Sequence, residues 1–166
     1  MNLKYRPDID GLRAIAVISV IFYHAEISFN NINLFKGGYL GVDIFFVISG
    51  YLITSLIMKE LYSTNNFSFL FFYERRIRRL IPTLLLVIFA FVPISWFYLL
   101  PGDLEDFSKS ILFTLAFVSN YFFHYSGLDY FDIDGLYKPL LHTWSLSIEE
   151  QYYIIFPILL VLLFKF

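Results

Sequence analysis

The sequence predicts an all-α fold, a polytopic transmembrane helix bundle with four to five membrane segments. Three observations carry that reading. Of the 166 residues, 58% are hydrophobic and only 16% charged, against about a quarter charged in an ordinary soluble domain. Several apolar runs approach the ~20 residues that a helix needs to cross the hydrocarbon core. Lysines and arginines gather beside particular runs, as they do on the cytoplasmic side of membrane proteins. A soluble helical core is the competing reading, and runs of this length argue against it.

Leu12 to Phe29 is the first candidate span. Lys4, Arg6, Asp8, Asp10 and Arg13 stand at or before its start. No small-x-small cleavage site follows, so the run reads as a retained signal anchor rather than a cleavable leader. Tyr39 to Leu61 is the second span, followed by the polar break STNNFS and then FLFFYERRIRRL. Ile81 to Leu100 is the third, with Pro82 in its first turn, where proline is tolerated, and Pro101-Gly102 ending it. Phe107 to Phe123 is a short fourth segment that crosses the membrane or re-enters it. Tyr125 to His142 is polar-aromatic, with Asp129, Asp132 and Asp134. Ser145 to Phe166 is the fifth. The whole chain, residues 1–166, reads as one membrane domain without repeats, low-complexity tracts or a soluble domain.

Charge sets the expected orientation. Lys4, Arg6 and Arg13 flank the first span, and Lys59, Arg75, Arg76, Arg78 and Arg79 lie between the second and third. The turn after the third is acidic, with Asp103, Glu105 and Asp106. The positive-inside rule then places the N-terminus and the arginine cluster in the cytoplasm. Asn66-Phe67-Ser68 fits a glycosylation acceptor, but this topology puts it on the cytoplasmic side. Strict alternation puts Tyr125 to His142 there too, which its three aspartates do not support.

Composition also excludes chemistry. The chain has no cysteine, so disulfides, thiol nucleophiles and cysteine metal sites are ruled out. The three histidines are far apart and make no metal-ligand spacing, so no metal is expected. There is no glycine-rich phosphate loop and no basic stripe for nucleic acid.

The candidate site residues are the polar groups that apolar runs carry. Arg13 and His24 are eleven residues apart. At about 100° and ~1.5 Å per residue they share a helix face within about 20°, ~16 Å apart along the axis. This places Arg13 near the cytoplasmic rim and His24 well into the bilayer. Ionisable groups within a span face a protein interior or a watery path, so the two line a common channel; the alternative is an anchoring cation and a buried hydrogen-bonding histidine. Asp43 and Ser49 lie in the second span. Asp43 is at its outer end, the depth assigned to His24, where a carboxylate could orient the imidazole; capping the helix start is the alternative. Arg75, Arg76, Arg78 and Arg79 form neighbouring pairs on a helix. They suit either lipid headgroups or the phosphates of a ligand such as an acyl-coenzyme A. In LLHTWSLSIEEQYYIIFPILL, Ser145 and Glu149 share a face, and so do His142 and Ser145. Ser147 with Glu150 looks like a loose helix start, but adjacent carboxylates beside Trp144 and His142 exceed what a cap needs.

At this point the sequence resembles the acyltransferase 3 family of integral membrane acyltransferases. YRPDIDGLRAIAVISVIFYH is similar to the family's opening, with its arginine, ten residues and histidine. GGYLGVDIFFVISGYLIT resembles the second signature, FYERRIRRLIP the arginine signature, and LLHTWSLSIEEQYYIIFP the last. The four blocks follow the family's order and cover nearly the whole chain. The resemblance implies transfer of an acyl group, usually acetyl, to carbohydrate hydroxyls of the cell envelope, such as O-antigen of lipopolysaccharide, capsule or peptidoglycan. It implies acetyl-CoA or another acyl-CoA as donor substrate and no bound cofactor. His24 would be the catalytic histidine, as general base or transient acyl carrier, with Arg13 as its partner along the channel; Asp43 joins this catalytic set only through its expected depth beside His24. Arg75, Arg76, Arg78 and Arg79 would meet the coenzyme A phosphates. Trp144, Ser145, Glu149 and Glu150 would be acceptor-side or structural. The implied location is the bacterial inner membrane, multi-pass, with the lipid bilayer, acyl-CoA and a carbohydrate acceptor as partners and no nucleic acid. Family members have about ten spans of ~20 residues each. This chain therefore reads as the N-terminal half of a roughly ten-helix domain, incomplete at its C-terminus: a fragment, the product of a truncated gene, or a half that a second polypeptide or copy completes. The alternatives are a non-catalytic membrane fragment and, from another class, a transporter component.

Overall fold

The computed structural model describes residues 6–25, 28–29, 32–33, 35–126 and 137–165. Asp129, Asp132 and Asp134 fall outside these. The described residues are almost wholly helical: α1 (Pro7–His24), α2 (Leu40–Thr64), α3 (Phe69–Tyr98), α4 (Pro101–Leu115), α5 (Ser119–Tyr125) and α6 (Thr143–Lys165). A minimal antiparallel pair, β1 (Ser28–Phe29) with β2 (Ile32–Asn33), lies between α1 and α2. Among the described residues, α2, α3 and α6 are long and apolar enough to cross a membrane. The chain divides into two compact units, residues 1–67 with 157–166, and residues 68–156.

In the first unit α1 and α2 run antiparallel. Pro7 opens α1, where its missing N–H costs nothing. Ile9 and Ala16 form the buried stripe of α1. The segment leading into α2 crosses that stripe so closely that glycine is required twice. A Cβ at Gly38 would stand 2.2 Å from the Ser19 carbonyl oxygen, and one at Gly41 would stand 2.5 Å from that of Ala16. Phe22 packs on Phe35 at 4.7 Å between ring centroids, and Tyr23 on Tyr39 at 5.8 Å. At the far end the Arg6 guanidinium donates to the Tyr51 hydroxyl at 3.2 Å and to Asp8 at 2.7 Å. α2 stops at Asn65, which adopts the left-handed conformation (φ 54°), one that asparagine tolerates at a helix C-terminus.

In the second unit two expectations are corrected. The helix that holds the third span does not begin at Ile81. α3 begins at Phe69 and runs as one 30-residue helix through the arginines, so Pro82 lies in its interior rather than its first turn. Arginine is a good helix former, and no glycine interrupts the segment, so charge marks no boundary here. The fourth segment is not continuous either. α4 has 15 residues and α5 seven, and at ~1.5 Å per residue neither reaches the ~30 Å of a bilayer core. The break is a Schellman turn, closed by Phe117 N–H on the Thr114 carbonyl at 3.1 Å and by Val118 N–H on Phe113 at 2.9 Å. Phe117 occupies its left-handed position (φ 53°), which usually falls to glycine. The apolar core of this unit is Leu84, Ile88, Phe107, Phe123 and Leu140, with Trp144 packed against it.

Candidate active site

α1 carries Arg13 and His24 on one uninterrupted helix, so the expected common face exists. The wheel places Arg13, Val20 and His24 within about 40° of one another, beside the Ala16 stripe that meets α2. Arg13 is half-buried and lies 3.9 Å from Asp10. His24 is not deep within a helix, as the sequence suggests. It is the last residue of α1 and is exposed, with its ring edge-on to Tyr23 at 5.2 Å. The helix closes there with the Ala25 N–H on the Ile21 carbonyl at 2.9 Å.

The depth pairing of Asp43 with His24 also fails. Gly38 faces Ser19 and Tyr23, and Gly41 faces Ala16 and Val20, which fixes the antiparallel register. Asp43 then lies near the level of Arg13, about nine residues (~13 Å) from His24 along α1. Two residues beyond Gly41 it is turned about 200° from the seam, and it is exposed. It does not cap α2, whose N-cap is Tyr39; its charge sits in the first turn, favourably placed against the helix dipole. Ser49 is buried.

In the second unit the arginine segment and the glutamate segment meet. Arg76 grips Glu150 with two donors, Nη2 to Oε1 at 2.7 Å and Nε to Oε2 at 3.4 Å. The side chains are only 23% and 10% exposed. The face of the guanidinium lies over the Tyr153 ring, 3.4 Å from its centroid, and the Tyr153 hydroxyl donates to Glu149. The other arginines point elsewhere: Arg75, Arg78 and Arg79 are exposed, and Arg78 pairs with Glu74 one turn back at 2.8 Å. Ser145 donates to the His142 carbonyl at 3.1 Å. Ser147 does not start a helix. It is buried inside α6, which opens at Thr143.

Sequence reasoning passed over one face of that signature. Thr143, Ser147 and Gln151 recur every fourth residue along α6 and all serve the α4–α5 break. Thr143 bonds Thr114 and Ser119, each at 3.0 Å, and Ser147 bonds Ser119 at 2.8 Å. The Gln151 amide donates to the Phe117 carbonyl at 2.8 Å and to Asn120 at 3.0 Å. The spacing was the available signal: polar residues at i, i+4 and i+8 in an apolar helix mark a face that needs polar partners. Tyr73 was missed as well. It donates to the Ile154 carbonyl at 3.1 Å and reaches that of Tyr153 at 3.4 Å.

Comparison with known proteins decides the family. The acyltransferase domain family matches residues 6–166. The chain belongs to the acyltransferase 3 family. It is 43% identical to the peptidoglycan O-acetyltransferase OatA of Listeria monocytogenes, over 98% of this chain and 25% of that protein. It is 46% identical to the putative peptidoglycan O-acetyltransferase YrhL of Bacillus subtilis, over 95% of this chain and 24% of that protein. It is 41% identical to the O-acetyltransferase OatA of Staphylococcus aureus, over 96% of this chain and 25% of that protein. The chain thus spans about a quarter of the length of these relatives. No solved structure matches it.

Proposed function

We propose that this chain belongs to a membrane-bound O-acetyltransferase that moves an acetyl group from an acyl-CoA to a hydroxyl of peptidoglycan. The observation that carries this reading is the identity of 41–46%, over nearly the whole chain, to relatives named as O-acetyltransferases, two of them as peptidoglycan O-acetyltransferases. The expected acceptor classes narrow to a cell-wall carbohydrate; O-antigen and capsule lack comparable support.

The chemistry asks for few groups. A sugar hydroxyl is a poor nucleophile until a base takes its proton, and an imidazole suits that task near neutral pH. His24, exposed at the end of α1, is the base. As its nitrogen takes the proton, the hydroxyl oxygen bonds to the thioester carbonyl carbon. The carbon–sulfur bond then breaks, and the proton passes to the departing thiolate. Arg13, on the same face, supplies positive charge along the donor's path. The lysine and arginine bias supports a cytoplasmic N-terminus in a bacterial inner membrane, with the donor entering from that side.

The test uses membranes that lack endogenous activity. The chain is expressed alone, joined to whatever coding sequence follows it in its own gene, and in that longer form with His24→Ala. Labelled acetyl-CoA is supplied and acetyl esters on glycan are read by mass. Transfer that disappears with His24→Ala supports the assignment; transfer that persists with alanine there refutes it.

A further inference from the structure

We propose that Arg76 is a positioning residue rather than a phosphate ligand. It clasps α6 to α3 through Glu150 and Tyr153, and it leaves the outward arginines, Arg75, Arg78 and Arg79, to meet the anionic donor. The clasp stands on geometry alone; the donor-side half rests on the acyl-CoA reading above.

The sequence offers the four arginines as equivalents, because Arg75/Arg78 and Arg76/Arg79 have the same spacing. The structure breaks the tie. A guanidinium holds an anion through the parallel donors of one edge. In Arg76 the Nε–Nη2 edge is taken by Glu150, and Tyr153 covers its face. A phosphate reaching the remaining Nη1 side of Arg76 would have to share the guanidinium with a carboxylate that already neutralises it and is itself only 10% exposed, so the pair offers an anion little net attraction. On the helical wheel Arg76 is turned toward the side of the buried Leu84 and Ile88, about 80° and 120° from it, while Arg75, Arg78 and Arg79 occupy an arc of about 100° on the other side and are exposed. That exposed arc is what an incoming diphosphate would encounter. Arg78 is partly neutralised by Glu74, so Arg75 and Arg79 carry most of its attraction.

The clasp also explains why one signature carries two adjacent glutamates and a tyrosine. Glu150 faces Arg76. Glu149 receives the hydroxyl of Tyr153, which fixes the ring under the guanidinium. Removing any member loosens the same junction.

The experiment compares Arg75→Gln, Arg79→Gln, Arg76→Gln, Glu150→Gln and the swap Arg76→Glu with Glu150→Arg. Each is made in the full-length protein in nanodiscs, and three readouts are taken: detergent-induced unfolding, binding of fluorescently labelled coenzyme A at low and high salt, and kcat and KM for acetyl-CoA. Arg75→Gln and Arg79→Gln should each weaken coenzyme A binding about tenfold, the scale of one charge-assisted contact. They should also flatten its salt dependence and leave unfolding unchanged. Arg76→Gln and Glu150→Gln should both unfold more easily and lower kcat, with KM for acetyl-CoA unmoved. The swap should recover part of the lost stability. A tenfold rise in KM for Arg76→Gln at unchanged unfolding overturns the proposal, as does a Glu150→Gln protein that unfolds like the parent. If the parent binds no coenzyme A, the donor reading fails, and the unfolding comparison still decides the clasp.

Discussion

Gly41 sits directly on the Ala16 carbonyl, with room for a hydrogen but not for a methyl group. A Cβ there would stand 2.5 Å from that oxygen and 2.7 Å from Val20 Cγ2. The obstacle is backbone, so it cannot swing aside as a side chain would. Gly41→Ala should therefore push α1 and α2 apart and destabilise their pairing by about 1–3 kcal/mol. Gly38→Ala, facing the Ser19 carbonyl at 2.2 Å, should cost at least as much. Gly37→Ala is the control, because its Cβ meets nothing within 4 Å. Detergent-induced unfolding checks the three together. A Gly41→Ala protein as stable as Gly37→Ala would show that the two helices do not meet there.

The polar latch on the α4–α5 break makes a second prediction. Ser147 and Ser119 are buried and bonded to each other, so Ser147→Ala leaves the Ser119 hydroxyl and its N–H short of a partner. The expected loss is about 1–3 kcal/mol. Thr143→Val removes a hydroxyl from the same network, so the double variant should lose less than the sum of the singles. Additive losses in equilibrium unfolding would mean that the two hydroxyls act separately.

Among the described residues three of the five expected spans, those in α2, α3 and α6, are long and apolar enough to cross a membrane, and they were legible because apolar run length needs only composition. α1 is not among them, and the fourth segment is broken between α4 and α5. The local shape of the chain was less so. The arginines read as a boundary between spans, yet α3 passes through them, because helix propensity does not distinguish an arginine at a membrane surface from one inside a helix. Phe117 offered no turn signal, since the glycine usual at a left-handed cap is absent and tertiary bonds from Gln151 hold the conformation instead. Among the site residues, the shared face of Arg13 and His24 follows from eleven residues of helical spacing. The level of Asp43 does not, because it depends on how far the chain runs between α1 and α2 before turning back. The partner of Arg76 stands 74 residues away in sequence, beyond the reach of any local pattern.

A third prediction concerns pH. Lys138 is largely buried, with Asp106 at 2.7 Å and Asp103 at 3.8 Å. The bond from Lys138 holds the Asp106 carboxyl below its ordinary range. A carboxylate whose folded pKa is depressed contributes stability that is fully present above its unfolded value, near 3.9. That contribution is lost as the pH falls through the folded value. The packing of α4 against the start of the last segment should thus be constant near neutrality and weaken only below about pH 4. Lys138→Met should lower stability at pH 7, and Asp106 should then lose its part in the acid sensitivity. Unfolding midpoints from pH 7 down to 3 for parent and variant provide the check. Parallel curves would remove the ion pair as the cause.

The last prediction follows from Pro157. Proline has no N–H, so within α6 the carbonyl of Tyr153, four residues earlier, lacks its helical donor. The Tyr73 hydroxyl reaches this region from α3, 3.4 Å from the Tyr153 oxygen and 3.1 Å from that of Ile154. Tyr73→Phe keeps the ring and removes only this donor, so the loss isolates the bond at about 1 kcal/mol. Pro157→Ala returns a backbone donor to Tyr153 and should make the Tyr73 hydroxyl partly redundant. The cost of Tyr73→Phe should then shrink in the Pro157→Ala background, whatever Pro157→Ala costs by itself through lost packing. A double-mutant cycle on unfolding free energy measures that difference. An equal cost of Tyr73→Phe in both backgrounds would mean that the phenol serves the Ile154 carbonyl alone and that the freed oxygen of Tyr153 is satisfied in another way.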